Sequence, residues 1–290
     1  MADIPADAHG RALVGVSGWR YARWRGDFYP PGLPQRRELE YIGQEFPTVE
    51  LNGSFYSLQR PESYRRWRES TPPEFVFAVK GSRYISHMLR LVDAEQALAN
   101  FFASGLLALG SQLGPILWQL PERQLFDPDV LEDFLRALPR TTGEAQHLAG
   151  RHDDRLRGRA FVDVESDRPI RYALEPRSDT FADERSLRLL ERYGVALTVA
   201  DTAGRWPRFD ALTTDLVYVR LHGAEVLYHS GYTDEQLRDW AGRIAEWTAP
   251  DGAGRPGRDV YVYFDNDAQG RAPHDARALA RLIAEERASR

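Results

Sequence analysis

Six ionisable side chains stand at or near the carboxyl ends of four short apolar segments: Glu50, Lys80, Glu175, Arg177, Arg220 and His222. Ionised groups are rarely buried unless paired or functional, so their recurrence at such positions points to a site. Carboxylates and an imidazole brought together can move protons. Ammonium and guanidinium groups can hold an anionic ligand or stabilise developing negative charge. We read Glu50 or Glu175 as the base and His222 as an acid or proton shuttle. Lys80, Arg177 and Arg220 would bind an anion, while Asn52, Gln119 and Asn266 would orient a hydroxylated ligand. A lysine whose pKa is depressed by arginine neighbours can also form a Schiff base, but the sequence does not single out that route. The opposing reading is a salt-bridge network that merely fills space. Forming a buried ion pair adds little net stability, which weakens that reading.

Such residues meet only if their segments lie side by side. Eight runs read as strands: 13–19, 48–55, 75–80, 115–120, 172–177, 196–201, 216–222 and 259–266. Helical patterns over 36–45, 61–70, 94–109, 129–138, 183–193, 234–247 and 274–286 follow most of them. Asp93 is the expected cap of the third of these helices. Strand alternating with helix predicts a parallel sheet, and eight units predict a TIM-type (β/α)8 barrel. The sixth unit is irregular, since 202–214 holds Gly204 and Pro207 and no helical pattern. The polar segment 141–170 reads as an insertion. Residues 1–12 read as a tail and 13–290 as one barrel domain. A doubly wound open sheet is the rival architecture.

Strand side chains alternate between two faces. Thr48, Glu50 and Asn52 share one face and oppose Val49 and Leu51; Val76, Ala78 and Lys80 oppose Phe75, Phe77 and Val79. Gln119 is in phase with Leu117, while Ala173, Glu175 and Arg177 oppose Leu174. Tyr218, Arg220 and His222 oppose Val217, Val219 and Leu221. The aliphatic face should meet the helices, leaving the polar face on the barrel axis. Ser17 and Trp19 share a face of the first strand, and Trp19 is expected to wall the ligand. His87 follows the third strand. Asn266 lies at the tip of the eighth, in phase with Phe264. Lys80 is the only lysine among 38 basic Lys and Arg residues, and Asn52 and Asn266 are two of only three asparagines.

Several motifs in this order resemble the YecE-like family, also called domain of unknown function 72. They include Gly15–Trp19, Phe28-Tyr29-Pro30, Val49–Tyr56, Phe75–Lys80, Ile85-Ser86-His87, Leu113–Pro121, Ala173–Arg177, Tyr218–Gly223 and Val260–Asp267. The resemblance runs from about Val14 to Leu282. It implies a TIM-type barrel and no established activity. Tyr56, at the end of the third of these motifs, is also among the candidate ligand contacts. The chain departs from the family where it has Asn52-Gly53-Ser54 and Glu175-Pro176-Arg177-Ser178. Barrels of this family look distantly like endonuclease IV and sugar-isomerase barrels, a fold-level analogy only.

With no cysteine, thiolate nucleophiles and disulfides are excluded. The net charge of -5 argues against a wholly nucleic-acid-binding surface. Met1–Ala12 has no apolar run and no stretch reaches the ~18 apolar residues of a membrane span, so a cytoplasmic protein without membrane partners is expected. Gly252, Gly254 and Gly257 spell a dinucleotide-type pattern, but it precedes a strand and contains Pro256. No organic cofactor is indicated. The first reading is an enzyme using acid–base chemistry on a small anionic or hydroxylated ligand. The second is a divalent-metal nuclease of the endonuclease IV kind, or a DNA-binding protein, with Glu50, Glu175, Asp201 and His222 as metal ligands; it is less favoured, because nearby cations would repel the ion. The third is a non-catalytic small-molecule binder.

Overall fold

A computed structural model describes residues 9–251 and 254–288. Apolar, β-branched and aromatic runs form nine strands within them, each buried on both faces, as parallel strands are. They are β1 (Ala12–Ser17), β2 (Thr48–Leu51), β3 (Val76–Lys80), β4 (Leu113–Gln119) and β5 (Tyr172–Glu175), followed by β6 (Val195–Leu197), β7 (Val199–Asp201), β8 (Leu216–Leu221) and β9 (Asp259–Phe264). All pairings are parallel, in the order β6-β5-β4-β3-β2-β1-β9-β8-β7. β6 and β7 are two halves of one strand separated by Thr198, with β6 pairing β5 and β7 pairing β8. The sheet is therefore a nearly closed α/β barrel of the TIM type, not an open doubly wound sheet.

The helices are α1 (Glu38–Glu45), α2 (Gly53–Tyr56), α3 (Pro61–Glu69), α4 (Glu95–Ala103) and α5 (Pro128–Ala137), then α6 (Thr142–Ala149), α7 (Glu184–Tyr193), α8 (Asp234–Thr248) and α9 (Ala272–Ala288). Local chemistry fixes several ends. Asp127 caps α5 by accepting from the amides of Asp129 and Val130. Thr233 and Gln236 form a reciprocal capping box on α8. No helix forms over 202–214, as the Gly and Pro content predicts.

Three local expectations need correction. The second strand stops at Leu51, and Gly53–Tyr56 turn into α2, so Phe55 leaves the sheet. The helix expected over 94–109 breaks at Gly105, whose φ is 114° and where a Cβ would lie 2.5 Å from Pro61 Cα. Asp93 does not cap α4; its N-cap is Ala94, without a side-chain bond. The 141–170 segment carries α6, which packs against α4. Of the expected tail, residues 1–8 lie outside the described residues, as does Gly252, while Ala12 already belongs to β1.

Two apolar clusters separate the faces of the sheet. Val16, Val49, Phe77, Ile116, Leu174, Val219 and Val262 join the helices in the outer core. Leu13, Ala78, Leu117, Ala173, Ala196, Leu216, Tyr218, Tyr261 and Tyr263 fill the axis. That plug occupies the amino-terminal and middle layers. Above it the same axial face becomes polar, which places the charged tips at the carboxyl-end mouth. Among the described residues no helix is long and apolar enough to cross a membrane.

Candidate active site at the barrel mouth

Arg220 is the organising residue, fully buried at the end of β8. Its Nε and Nη2 donate to both oxygens of Glu50 at 3.0 and 2.8 Å. Nη1 donates to Glu175 Oε2 at 2.8 Å, and Nη2 also reaches Asp265 Oδ2 at 3.0 Å. A guanidinium has five N–H donors, and a bond from Nη1 to His222 Nε2 at 3.1 Å engages the fifth. Arg220 thus has no donor left for a ligand. Register explains part of this convergence, because Ser17 is the strand partner of Glu50 and Gln119 that of Glu175. Ser17 Oγ donates to Glu50 Oε1, and Tyr218 Oη donates to Glu50 Oε2 at 2.8 Å. Glu50 is consequently sealed and saturated, the floor of the site.

Arg220 also sets the state of His222. A guanidinium can only donate, so His222 Nε2 accepts and the ring proton is assigned to Nδ1. Nδ1 lies 3.1 Å from Asp265 Oδ2, off the ideal hydrogen-bond line. Burial, reinforced by Arg220, lowers the His222 pKa, so the ring is neutral at physiological pH. Burial alone would raise the two nearby carboxyls. Arg220 and the other neighbours, Lys80 among them, together outweigh it, holding Glu175 well below the carboxylate range and Asp265 at about 2. Both are ionised.

The rim is what a solute can touch. Lys80, at the tip of β3, keeps 9% of its surface exposed, while the side chains of Arg177 and Asp265 keep 13% and 19%. Arg177 Nε donates to Glu175 Oε1 at 3.1 Å, and its guanidinium lies 3.6 Å above the Trp206 ring. Lys80 Nζ lies 4.5 Å from the Phe55 ring centroid and makes no hydrogen bond or ion pair among the described residues. Burial, then Arg220, brings its pKa down to about 8. His87, edge-on to Phe55, lies 3.4 Å from the Gln119 amide. Burial and the charges of Lys80 and Arg177 lower its pKa to about 4, leaving it neutral. Asn52 donates to Ser17 Oγ at 2.9 Å, which leaves its own Oδ1 buried without a partner.

Nine of the expected residues therefore gather around Arg220: Ser17, Glu50, Asn52, Glu175, Arg177 and His222 by direct bonds or close contacts, with Lys80 and the Gln119–His87 pair at the rim. Three others lie elsewhere. Trp19 packs edge-on against Trp67 in the outer core, because Gly18 at φ 84° breaks the alternation after Ser17. Asn266 lies on the helix side of β9, donating to Asp275 at 2.8 Å and to the Ser230 carbonyl at 3.0 Å. Its phase with Phe264, itself an outer-core residue, already implied that direction. Tyr56 is 69% exposed and lines a groove with Leu58, Arg83 and Met88.

Sequence reasoning missed Asp265, one residue before the chosen Asn266, although it is in phase with the axial Tyr261 and Tyr263. It also missed Phe55, on the single turn of α2, and Trp206 and Tyr228, which reach the site from loops without periodic signal. Tyr228 packs edge-on to His222 with φ 63°. A second acid nearby, Asp267, accepts from Trp24 Nε1 at 2.9 Å while its Oδ2 is buried without a partner. Burial, with Asp265 adding to it, pushes its pKa up to about 8. A carboxyl raised on folding loses stability as pH climbs from its unfolded value near 4 to 8. Asp267→Asn should match the parent protein in unfolding experiments at pH 4 and exceed it by several kcal/mol at pH 8, at ~1.4 kcal/mol per pKa unit. Equal stability at both pH values would show that the carboxyl is not perturbed.

The donor arrangement does not suit the metal reading. Asp201 lies on the helix side, in a groove with Tyr232 and Arg208, and the Arg220 guanidinium occupies the space between Glu50, Glu175 and His222. Among the described residues no three His, Asp or Glu side chains are grouped to hold an ion.

Comparison with known proteins agrees with the fold. The chain is 23% identical over 303 residues to the UPF0759 protein YunF of Bacillus subtilis (strain 168), covering 93% of this chain and 94% of that one. It is 24% identical over 238 residues to the UPF0759 protein YecE of Escherichia coli (strain K12), covering 81% of each. A crystal structure of a DUF72 family protein from Thermotoga maritima MSB8 superposes with a TM-score of 0.72 at 24% identity, over 94% of this chain and 99% of that one. Another from Enterococcus faecalis V583 gives 0.70 at 16% identity, over 94% and 95%. The sequence profile described as "Protein of unknown function DUF72" matches residues 13–290, and the chain belongs to that family.

Proposed function

We propose that the mouth is the active site of an enzyme performing acid–base chemistry on a small anionic, hydroxylated ligand. The observation that carries this reading is the division between floor and rim. Arg220, Glu50 and His222 are sealed, with Arg220 and Glu50 saturated, whereas Lys80, Arg177 and Asp265 keep exposed surface. A network built for stability alone would gain nothing from an unpaired ammonium at its edge. Arg177 is the anion anchor, because Glu175 and the Trp206 face hold its planar guanidinium in place. The orphan Asn52 Oδ1 accepts a ligand hydroxyl. Ionised Asp265 and neutral His87 accept protons, and Lys80 donates one near neutral pH.

The test is a thermal-shift and calorimetric screen with phosphate, malonate, sugar phosphates and nucleotides. At least one should raise the melting temperature of the parent protein. Arg177→Met should weaken that ligand about tenfold or more while shifting the unliganded melting temperature little. No response to any anion, or undiminished binding by Arg177→Met, would overturn the reading.

A further inference from the structure

Three carboxylates and three side-chain cations meet at the mouth, but their pairing is uneven. Glu50, Glu175 and Asp265 all engage Arg220, and Arg177 takes the remaining Glu175 oxygen. Lys80 receives none of them. Its amine stands against an aromatic face at the edge of the cluster, with no carboxylate of the described residues within 4.0 Å to clamp it.

We propose that Lys80 is an amine nucleophile that forms a Schiff base with a small carbonyl compound bearing an anionic group. This rests on the anion site proposed above and names the reacting group of its substrate. Arg177 would hold the anionic end, leaving the carbonyl carbon to meet Lys80 Nζ. One strand, β4, lies between them: Lys80 is the strand partner of Leu117, and Gln119 that of Glu175, which holds Arg177.

The step balances without a further reactant. Starting from the ammonium and the carbonyl compound, the N–C bond forms and the C–O bond breaks. The oxygen leaves as water, carrying two protons given up by the nitrogen. The product is a protonated imine, so the positive charge is conserved. Glu50, Asp265 and Glu175 act on Lys80 through space and would stabilise that iminium as they now do the ammonium. Attack itself requires the neutral amine. With a pKa of about 8, roughly a quarter of Lys80 is neutral at pH 7.5, against roughly one part in a thousand for an ordinary lysine. Neutral His87 beside Gln119 can relay the protons.

The chain contains one lysine, which makes the experiment direct. The folded protein is incubated with glyoxylate and cyanoborohydride, and the modified site is located by peptide mass mapping. The α-amino group serves as an internal reference amine. Lys80 should be alkylated about tenfold faster than that reference, with the preference absent for the neutral probe propionaldehyde and reduced in Arg177→Met. Lys80→Arg should show labelling only at the amino terminus. If glyoxylate stabilises the protein yet leaves Lys80 unmodified, the covalent role is wrong and the anion site stands. If it neither binds nor reacts while other anions bind, the carbonyl class is wrong. Equal labelling of Lys80 by both aldehydes would mean ordinary amine reactivity and would also overturn the proposal.

Discussion

Arg220→Met is expected to cost about 3–5 kcal/mol of folding stability at pH 7, the largest effect of any single substitution at the mouth. The mechanism is stranded charge, not lost packing. Met fills much of the same volume, but Glu50, Glu175 and Asp265 would keep their carboxylates without the guanidinium that now receives them. Glu50 and Glu175 are buried, so water cannot easily replace the lost donors. The pH dependence separates this cause from a cavity. In the parent protein Glu175 and Asp265 have depressed pKa values, so their contribution is complete above about pH 4 and disappears as pH falls further. In Arg220→Met the same groups should titrate above their ordinary range, and acid would relieve their repulsion. The stability gap should therefore narrow as pH falls from 7 toward 4, followed by urea unfolding. Adding Glu50→Gln to Arg220→Met should recover part of the loss. A deficit that is constant with pH would point to packing instead.

Lys80→Met should act in the opposite direction on stability. Folding lowers the lysine pKa from its ordinary 10.5 to about 8, mainly by burial. That shift corresponds to roughly 3 kcal/mol against folding while both states are protonated. The unfolded chain binds more protons than the folded one between pH 8 and 10.5, so this burden lightens as pH rises through that window. Lys80→Met should thus exceed the parent protein by about 2–3 kcal/mol at pH 7, and the two should converge by pH 10.5. The same variant should lose ligand response or turnover. A side chain that weakens the fold but is needed at the mouth is what a functional site requires. A destabilised Lys80→Met would instead make the lysine a structural member of the network.

Much of this site was legible from alternation alone. The positions of Glu50, Lys80, Gln119, Glu175, Arg220 and His222 follow from one rule: aliphatic residues on one face of a parallel strand meet helices, so the other face meets the axis. The rule fails where the strand ends. Gly18 turns Trp19 into the outer core, and α2 removes Phe55 from the sheet and sets it against Lys80. Just past the tip of β9 the scarce asparagine stands one residue beyond the axial carboxylate. Asn266 is committed to Asp275 on α9, and Asp265 is the residue that meets Arg220.

By itself the sequence determined which side chains could share the axis, because periodicity is a property of the backbone and needs no knowledge of neighbours. It also determined the strand–helix alternation and its lapse after the sixth strand. Only the tertiary structure decided who pairs with whom. Hydrogen bonds depend on reach and direction across strands far apart in sequence, so nothing in the order of residues shows that Arg220 takes three carboxylates and leaves Lys80 with none. That inequality turns a list of charged tips into a sealed floor and a partly exposed rim.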